Sequence, residues 1–311
     1  MTLPSFSAKT VLTTLPRPSA PITAPRILQG LSEITDNYDA FLVDLWGVTH
    51  DGSTPYPDAL AALQALRAAG RSVAFVSNSS SVTEKVAAHL RSMGIADGTH
   101  YDALVTSGSL VAQALQQPEQ YYNNGKTAAL LVGDRSIARQ YLAPMVMTDD
   151  AAAAGFIINV WYGDDESHIA ALAPQLEQWR ALELPMLCCN PDYDVLLAGG
   201  RLLCPGALAA AYLALGGTTH GFGKPYAPAF QGGMAALKLP AGARVAMVGD
   251  NMLTDIIGGL NAGLDTILIQ GGVHREALDI SWGEDAAPAA LLALGQDFGY
   301  APHFALSHLR S

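Results

Sequence analysis

The chain is poor in cysteine, with only three among 311 residues. Cys188 and Cys189 are neighbours and Cys204 stands apart, so the three show no regular spacing. Adjacent residues of a strand point to opposite faces, which makes Cys188 and Cys189 poor partners for one metal ion. Neither a zinc motif nor a disulfide framework is therefore predicted. Reduced thiols are typical of cytoplasmic proteins, and we expect that compartment.

Charge is also scarce, and positive charge is the scarcer kind. Only 14% of the residues are charged, and 17 Lys and Arg stand against 28 Asp and Glu, for a net charge of −11. Binding to a phosphate backbone needs clustered Lys and Arg, so we expect no nucleic-acid partner. No apolar run reaches the roughly 18 residues of a membrane helix, so no membrane association is expected. Half of the residues are hydrophobic, which predicts a globular protein.

Acidic residues are missing from residues 1–26, which hold five prolines and three basic residues. No hydrophobic signal core is present, so secretion is not expected. The composition leaves an extended or disordered tail and a transit peptide open. The prolines disfavour the amphipathic helix of a transit peptide, so an N-terminal tail over 1–26 is the prediction. A short helix is predicted next, over 27–38.

Buried strands and amphipathic helices are predicted to alternate along most of the chain. This alternation indicates parallel βαβ units and an α/β fold with a doubly wound parallel sheet. A polar stretch interrupts it near residue 117, and a second alternating set follows. We therefore predict a core domain made of 27–116 and 204–311, with a second α/β domain inserted over 117–203. The insertion is expected to contain one long amphipathic helix over 166–182.

Chemically useful side chains follow predicted strands or stand in loops that lead into helices. They are Asp44, Ser77, Lys224, Asp250 and Asp255. In a parallel sheet the carboxyl ends of the strands lie along one edge, so these groups are expected to converge. A carboxylate can attack a phosphoryl group, and carboxylate oxygens are ligands for Mg²⁺. A hydroxyl and an ammonium would stabilise the charge that develops on the phosphoryl oxygens.

Four short motifs and a fifth segment make a resemblance specific. They read DLWGVTHDG at 44–52, SNS at 77–79, GKPYAP at 223–228, GDNMLTDI at 249–256 and NPD at 190–192. In this order and spacing they resemble the haloacid dehalogenase (HAD) superfamily of hydrolases. The resemblance is to subfamily IIA, whose members carry a large α/β cap of the C2 type between the second and third motifs. The resemblance implies a HAD-like core with that cap.

The resemblance implies a Mg²⁺ site and a nucleophile. Asp44 would be the nucleophile and a metal ligand, and Trp46 would offer its backbone carbonyl to the metal. Asp250 would be the second side-chain ligand, and Asp255 would bind through water. The implied reaction is hydrolysis of a small phosphorylated metabolite through an aspartyl-phosphate intermediate.

The resemblance also implies a set of substrate contacts. Ser77 and Lys224 would hold the phosphoryl oxygens, with Asn78 beside them. In the cap, Asn190 and Asp192 would face the substrate. The sequence leaves a monomer or a homodimer open.

The sequence departs from the family at residue 46. Phosphatases of the family carry there an aspartate that protonates the leaving group and activates water, and this chain carries Trp46. Indole does not titrate in the useful range. Three alternatives stay open: His50 or Asp51 replaces the acid, the leaving group needs no proton, or the protein binds a phosphometabolite with weak or no turnover.

Overall fold

The structure, a computed structural model, describes residues 3–141, 145–197 and 200–311. The described chain forms two compact units, which we name after their main sheets. The seven-stranded unit contains Pro16–Ser77, Glu84–Val105 and Pro225–Ser311. The five-stranded unit contains the residues up to Leu15, Asn78–Thr83 and Thr106–Lys224.

The strands are numbered along the chain. They are β1 (Arg26–Ile27), β2 (Ala40–Val43), β3 (Ser72–Ser77), β4 (Ala103–Thr106), β5 (Ala128–Gly133), β6 (Met147–Thr148), β7 (Ala154–Val160), β8 (Met186–Cys188), β9 (Asp194–Leu197), β10 (Gly200–Leu203), β11 (Thr219–Gly221), β12 (Val245–Gly249), β13 (Asp265–Ile269) and β14 (Phe304–Leu306).

The helices are numbered in the same way. The α-helices are α1 (Pro57–Ala68), α2 (Thr83–Ser92), α3 (Ser107–Ala114), α4 (Arg135–Ala138), α5 (Glu166–Ala171), α6 (Ala173–Ala181), α7 (Pro205–Ala214), α8 (Ala227–Leu237), α9 (Ile257–Asn261) and α10 (Pro288–Phe298). Short 3₁₀ helices span Ala8–Thr14, Leu31–Glu33, Thr35–Asn37, Pro118–Tyr121 and Ala151–Ala153, and a π-helix spans Met252–Ile256.

The seven-stranded sheet has the order β1-β14-β13-β12-β2-β3-β4. Strand β2 pairs in parallel with β3 on one side and with β12 on the other. From this pair the chain continues outward in both directions, through β3 and β4 and through β13 and β14. The boundary between β2 and β12 is thus the point at which the strand order reverses. Open α/β sheets bind their ligands outside the carboxyl ends of the strands at such a point.

Helices cover both faces of this sheet. Successive residues of β2 point to opposite faces, so they contact different helices. Phe41 and Val43 lie in the same buried cluster as Leu63 of α1. Leu42 faces α8 instead, where a side chain at Gly233 would come within 3.1 Å of the Leu42 methyl group. The predicted α/β class with a doubly wound sheet is confirmed.

The five-stranded sheet has the order β11-β8-β7-β5-β6, and its neighbouring strands pair in parallel. A separate antiparallel pair, β9 and β10, follows β8 in the chain. The buried cluster of this unit includes Trp179 and Tyr212, and the Tyr212 hydroxyl donates to the Leu184 carbonyl at 2.7 Å. The sequence predicts an insertion that ends at residue 203, whereas this sheet also takes in β11.

Two predicted helices are wrong in detail. Ile27 belongs to β1, and the rest of 27–38 contains two 3₁₀ turns, closed by bonds from Ile34 N–H to Leu31 O and from Asn37 N–H to Ile34 O. The long helix predicted over 166–182 is divided into α5 and α6, with Leu172 between them. Pro174 explains the division, since proline has no N–H to donate to the preceding turn.

The N-terminal segment also differs from the extended chain that its prolines predict. Ala8–Thr14 is a 3₁₀ helix in which Leu12 is buried. Its first turn is closed by Thr10 N–H donating to Ser7 O, while Ser7 N–H donates to the Thr10 hydroxyl. Among the described residues, no helix has the length and apolar character required to cross a membrane.

Candidate active site

Asp44 directly follows β2 at the carboxyl edge of the seven-stranded sheet. Its backbone N–H donates to the Val248 carbonyl of β12 at 2.9 Å, which extends the β2–β12 pairing to this residue. Its carboxylate oxygen Oδ1 accepts a 2.7 Å bond from Leu45 N–H, and the residue is half-buried. The carboxylate is thereby oriented at the point where the strand order reverses.

Asp250 and Asp255 come from the turn that follows β12. Asp250 Oδ2 accepts from Val273 N–H at 3.0 Å, and Asp255 Oδ2 accepts from Asn251 N–H at 3.1 Å. Both residues are buried. Oxygens of Asp44, Asp250 and Asp255 all lie within 4.8 Å of one another. Three carboxylates this close repel one another unless a cation or protons offset their charge.

Glycines surround this carboxylate cluster where a side chain would collide with it. A Cβ at Gly47 would lie 2.3 Å from Asp250 Oδ2, and one at Gly272 would lie 2.0 Å from the same atom. A Cβ at Gly249 would lie 2.1 Å from the Asp255 carboxyl carbon. Gly47 also adopts φ +77°, a left-handed conformation that glycine accommodates easily. Sequence reasoning missed Gly272 and the Val273 N–H, although the Gly-Gly pair after β13 was a local signal.

The cluster fits a hard divalent cation. Its ligand atoms are all carboxylate oxygens, which Mg²⁺ prefers. A backbone N–H donates to each of the three carboxylates and fixes its orientation. Asp44, Asp250 and Asp255 are the residues that would hold such an ion. Within residues 3–141, 145–197 and 200–311, this is the group of acidic, histidine and cysteine side chains close enough to do so.

Trp46 and the loop that follows it form a tightly packed unit beside Asp44. A Cβ at Gly52, where φ is +99°, would lie 2.1 Å from the end of the Trp46 indole. The indole also meets the His50 ring edge-on, at 5.8 Å between centroids. On the other side of His50 lies His89 of α2, whose Nε2 is 3.0 Å from the Gly52 carbonyl. The indole is therefore held within the loop by Gly52 and His50.

His50 is an uncharged member of this loop at neutral pH. Burial, together with the nearby His89, lowers its pKa from 6.5 to about 4. Its Nδ1 accepts a hydrogen bond from Gly52 N–H at 2.9 Å, so the neutral ring carries its proton on Nε2.

Asp51 has a structural task at the tip of the same loop. Its Oδ1 accepts from Ser53 N–H, from the Ser53 hydroxyl and from Thr54 N–H, at 2.9, 3.0 and 2.7 Å. These bonds, that from Ser53 N–H first, lower the pKa of the exposed Asp51 carboxyl. This arrangement is that of an Asx turn.

The remaining predicted site residues divide between the two units. Ser77 ends β3 in the seven-stranded unit and is half-buried. Asn78, Asn190, Asp192 and Lys224 belong to the five-stranded unit. The predicted contacts of all five with substrate stay predictions.

Asn78 links two of these residues by its side chain. Its Nδ2 donates to Asp192 Oδ1 at 2.8 Å and to the Lys224 carbonyl at 2.9 Å. A Cβ at Gly223 would lie 2.3 Å from Asn78 Oδ1, so this glycine allows the close approach. The Asn190 side chain accepts from Asp192 N–H at 2.9 Å. The second motif, the third motif and the NPD segment are thus joined by hydrogen bonds within one unit.

Tyr162 adds a further link that the sequence did not reveal. Its hydroxyl lies 3.0 Å from the Ser80 hydroxyl. Burial, with smaller contributions from nearby cysteines, raises the pKa of Tyr162 to about 12, so the phenol is protonated at neutral pH.

Comparison with protein families gives two matches. A model described as haloacid dehalogenase-like hydrolase matches residues 41–143. A second, described as HAD-hydrolase-like, matches residues 221–293. The first contains the motifs at 44–52 and 77–79, and the second contains those at 223–228 and 249–256.

Curated relatives and solved structures are similar over most of the chain. The 5'-nucleotidase YutF of Bacillus subtilis is 28% identical over 245 residues, covering 76% of this chain and 89% of that protein. An acid sugar phosphatase of Staphylococcus aureus is 28% identical over 242 residues, covering 76% and 88%. A haloacid dehalogenase-like hydrolase from Brucella suis has a TM-score of 0.73 at 29% identity, covering 91% of this chain and 100% of that chain. A 4-nitrophenylphosphatase from Thermotoga maritima, at 21% identity and a TM-score of 0.62 over 88% and 96%, shows the shared fold.

Proposed function

Because the chain belongs to the haloacid dehalogenase-like hydrolases, we propose that it is a Mg²⁺-dependent phosphatase of a small phosphorylated metabolite. One observation carries this proposal: the carboxylates of Asp44, Asp250 and Asp255 lie within 4.8 Å of one another at the point where the strand order reverses. The names of the relatives support it, since they include a nucleotidase and sugar phosphatases.

Asp44 is the proposed nucleophile. Its carboxylate attacks phosphorus, the bond to the leaving-group oxygen breaks, and an aspartyl-phosphate forms on Asp44. The hydrogen bond from Leu45 N–H to Oδ1 orients the carboxylate for this attack. Water then attacks phosphorus and releases phosphate, which returns Asp44 to its ionised form.

Asp250 would hold the proposed cation with Asp44 and with the Trp46 carbonyl, and Asp255 would bind it through water. When bound, Mg²⁺ neutralises the charge of the carboxylates and of the phosphoryl group. The hydrogen bonds from Val273 and Asn251 N–H keep the Asp250 and Asp255 carboxylates fixed before the ion binds. Ser77 and Lys224 are proposed to hold the phosphoryl oxygens, with Asn78 beside them.

The insertion over 117–203, which lies within the five-stranded unit, is the proposed cap, with Asn190 and Asp192 in the segment that meets the substrate. Asp192 is already bonded to Asn78, so part of its contribution is to fix that amide. The net charge of −11 supports a small metabolite rather than nucleic acid as partner. The three cysteines are free and buried, which supports the cytoplasm as the proposed compartment.

An activity screen with Asp44→Asn tests this function. Wild-type protein with Mg²⁺ is expected to release phosphate from at least one of a set of sugar phosphates, nucleotides, acyl phosphates and aryl phosphates. Asp44→Asn is expected to lose that turnover, since the amide is not a nucleophile. Asp36→Asn is the matched control, because Asp36 is exposed and its carboxylate pairs with Arg71 at 2.9 Å, outside the carboxylate cluster. Equal rates for wild type and Asp44→Asn would refute the assignment.

Trp46 favours a second candidate function, that of a phosphometabolite-binding protein with weak or no turnover. Rapid-quench experiments with a substrate labelled in its phosphoryl group separate the two functions. One stoichiometric phosphorylation of Asp44 with no further release of phosphate would support the binding protein, and repeated turnover would exclude it.

A further inference from the structure

The residue that most limits the chemistry of the proposed reaction is Trp46. In the first step the leaving-group oxygen keeps the electron pair of the broken P–O bond and needs a proton if it is a poor anion. An acid two residues after the nucleophile would supply that proton, but the indole N–H does not titrate in the useful range. The loop has room for the indole because Gly52 has no side chain where the ring lies.

The other two titratable residues of this loop do not replace the missing acid by their geometry. His50 and Asp51 are the titratable side chains within residues 45–52. The Thr49 hydroxyl in this segment donates to the Leu45 carbonyl. His50 accepts from Gly52 N–H through Nδ1 and is 4% exposed, packed between the rings of Trp46 and His89. Asp51 Oδ1 receives three hydrogen bonds inside its own turn, all of which require an accepting oxygen. Both side chains are thus used to shape the loop.

We infer that the natural substrates carry a leaving group that departs as a stable anion without a proton, such as a phenolate, an enolate or a carboxylate. This inference rests on the proposed phosphatase function and names its substrate class. Phenols and carboxylic acids have pKa values of about 10 and about 4, whereas an aliphatic alcohol is close to water, at about 15.7. The anion leaves with the electron pair of the P–O bond. A phenolate then takes its proton from bulk water, whereas a carboxylate stays ionised at neutral pH.

The second step has a consequence that can be measured separately. Water forms a bond to phosphorus, the bond to Asp44 breaks, and the electron pair returns to the Asp44 carboxylate. That leaving group needs no acid, and the proton of the water goes to the phosphate product or to bulk water. The missing aspartate would also have activated this water, so hydrolysis is expected to be the slower step for good substrates. These substrates share that step and are expected to share one kcat while their kcat/KM values differ.

The decisive experiment is a leaving-group series with wild-type protein and Mg²⁺. The probes are 4-nitrophenyl phosphate, phenyl phosphate, acetyl phosphate and simple alkyl phosphates. We expect kcat/KM to fall steeply as the leaving group becomes more basic, with alkyl phosphates at least about 10²-fold below phenyl phosphate. This factor is the lower end of what a general acid contributes.

Two variants of equal size isolate the acid. Trp46→Asp restores a carboxyl group, and Trp46→Asn makes the same cavity without one. In kcat/KM, which reports the first step, Trp46→Asp is expected to exceed Trp46→Asn by about 10²- to 10⁴-fold on alkyl phosphates and by little on 4-nitrophenyl phosphate. Trp46→Phe keeps an aromatic ring and is expected to keep the steep dependence, whatever its absolute rate.

The outcomes separate this inference from the function on which it rests. Similar kcat/KM values for alkyl and aryl phosphates in the wild type would overturn the inference and leave the phosphatase intact, because another group would then supply the proton. The wild-type series decides this point even if the variants at residue 46 do not fold. If wild-type protein releases phosphate from none of these substrates, or does so equally well as Asp44→Asn, both the inference and the proposed function are overturned.

Discussion

In each half of the segment 44–52 a glycine allows another side chain to come close, but the two side chains differ in charge. Toward Asp44, Gly47 lacks a side chain so that the Asp250 carboxylate can approach, to 2.3 Å from where a Cβ would be. Toward the loop tip, Gly52 lacks one so that the Trp46 indole can approach, to 2.1 Å. The first contact belongs to the carboxylate cluster, and we call this part of the segment the charged half. The second belongs to the part from His50 to Gly52 that packs on the Trp46 indole, which we call the neutral half after the indole and the uncharged His50.

This difference separates two tasks that one loop performs together in phosphatases with a second acid. The carboxylate cluster contains the proposed nucleophile and the proposed ligands of a cation. The indole-packed half lacks what proton transfer needs, because its ring does not titrate and its histidine is neutral. Under the proposed function, the chain therefore has the groups for attack on phosphorus, but the indole-packed part of the loop lacks an acid for the leaving group.

Asp250→Asn attacks the charged half and is expected to have the largest effect. The amide keeps an oxygen for Val273 N–H but removes one of three charges. We expect loss of Mg²⁺-induced stabilisation, which for an ion at 100 times its Kd is about 2.7 kcal/mol. Metal-free protein should become more stable, since two charges 4.8 Å apart at an effective dielectric constant of about 20 repel by about 3 kcal/mol. Thermal unfolding with and without Mg²⁺ measures both.

Asp265→Asn is the control for that variant. Asp265 begins β13 in the same sheet, at the opposite end of the strands, and accepts from the Tyr38 hydroxyl at 2.6 Å. Its variant should keep the full Mg²⁺-induced shift. An equal shift in Asp250→Asn would contradict the proposed metal site.

The charged half was the more readable from sequence. Asp44 and Asp250 each follow an apolar run, and the carboxyl ends of parallel strands share an edge, which is where the structure places both. Asp255 stands five residues after Asp250 and reaches the cluster through a π-helical turn. The Val273 N–H escaped prediction because a backbone donor has no side-chain signature, and its position depends on how the chain leaves β13.

The neutral half was not readable from sequence. Asp51-Gly52 has the appearance of an ordinary turn, and the structure confirms the turn. The need for glycine at residue 52 arises from the indole six residues earlier, a contact that depends on the path of the whole loop. Likewise, the burial of His50 depends on His89 of α2, which lies 39 positions later in the chain. Tertiary contacts of this kind leave no local pattern.

The buried His50 makes the neutral half sensitive to acid. The pKa of His50 is about 4 in the folded protein and about 6.5 in the unfolded chain, so the unfolded state binds the proton first as pH falls. Stability is therefore expected to fall from about pH 6.5 downward, with a total loss of up to about 3 kcal/mol near pH 4. Denaturant unfolding across this range should show a smaller loss for His50→Asn, whose side-chain oxygen can still accept from Gly52 N–H. Identical pH dependence in both proteins would contradict the assignment.

Gly52→Ala removes the space that holds the indole. Its Cβ would overlap the ring, and the position has φ +99°. Gly242→Ala is the matched control, with φ +83° and no atom within 4 Å of the added carbon. We expect Gly52→Ala to be the less stable variant by about 1–3 kcal/mol, the usual cost of overpacking. Adding Trp46→Leu to Gly52→Ala should recover part of that difference in a double-mutant cycle, and full additivity would show that the two residues do not interact.

Asp51→Asn is expected to have the smallest effect and tests whether the neutral half hides an acid. The amide oxygen can accept from Ser53 N–H, the Ser53 hydroxyl and Thr54 N–H as the carboxylate does. The hydrogen bonds lose only the contribution of the negative charge, so the free energy of unfolding should change by no more than about 1 kcal/mol. If Asp51 were the proton donor, the variant would lose about 10²- to 10⁴-fold in kcat/KM on alkyl phosphates and little on 4-nitrophenyl phosphate. Unchanged ratios between these substrates are the expected result, because the carboxylate is already committed to its turn.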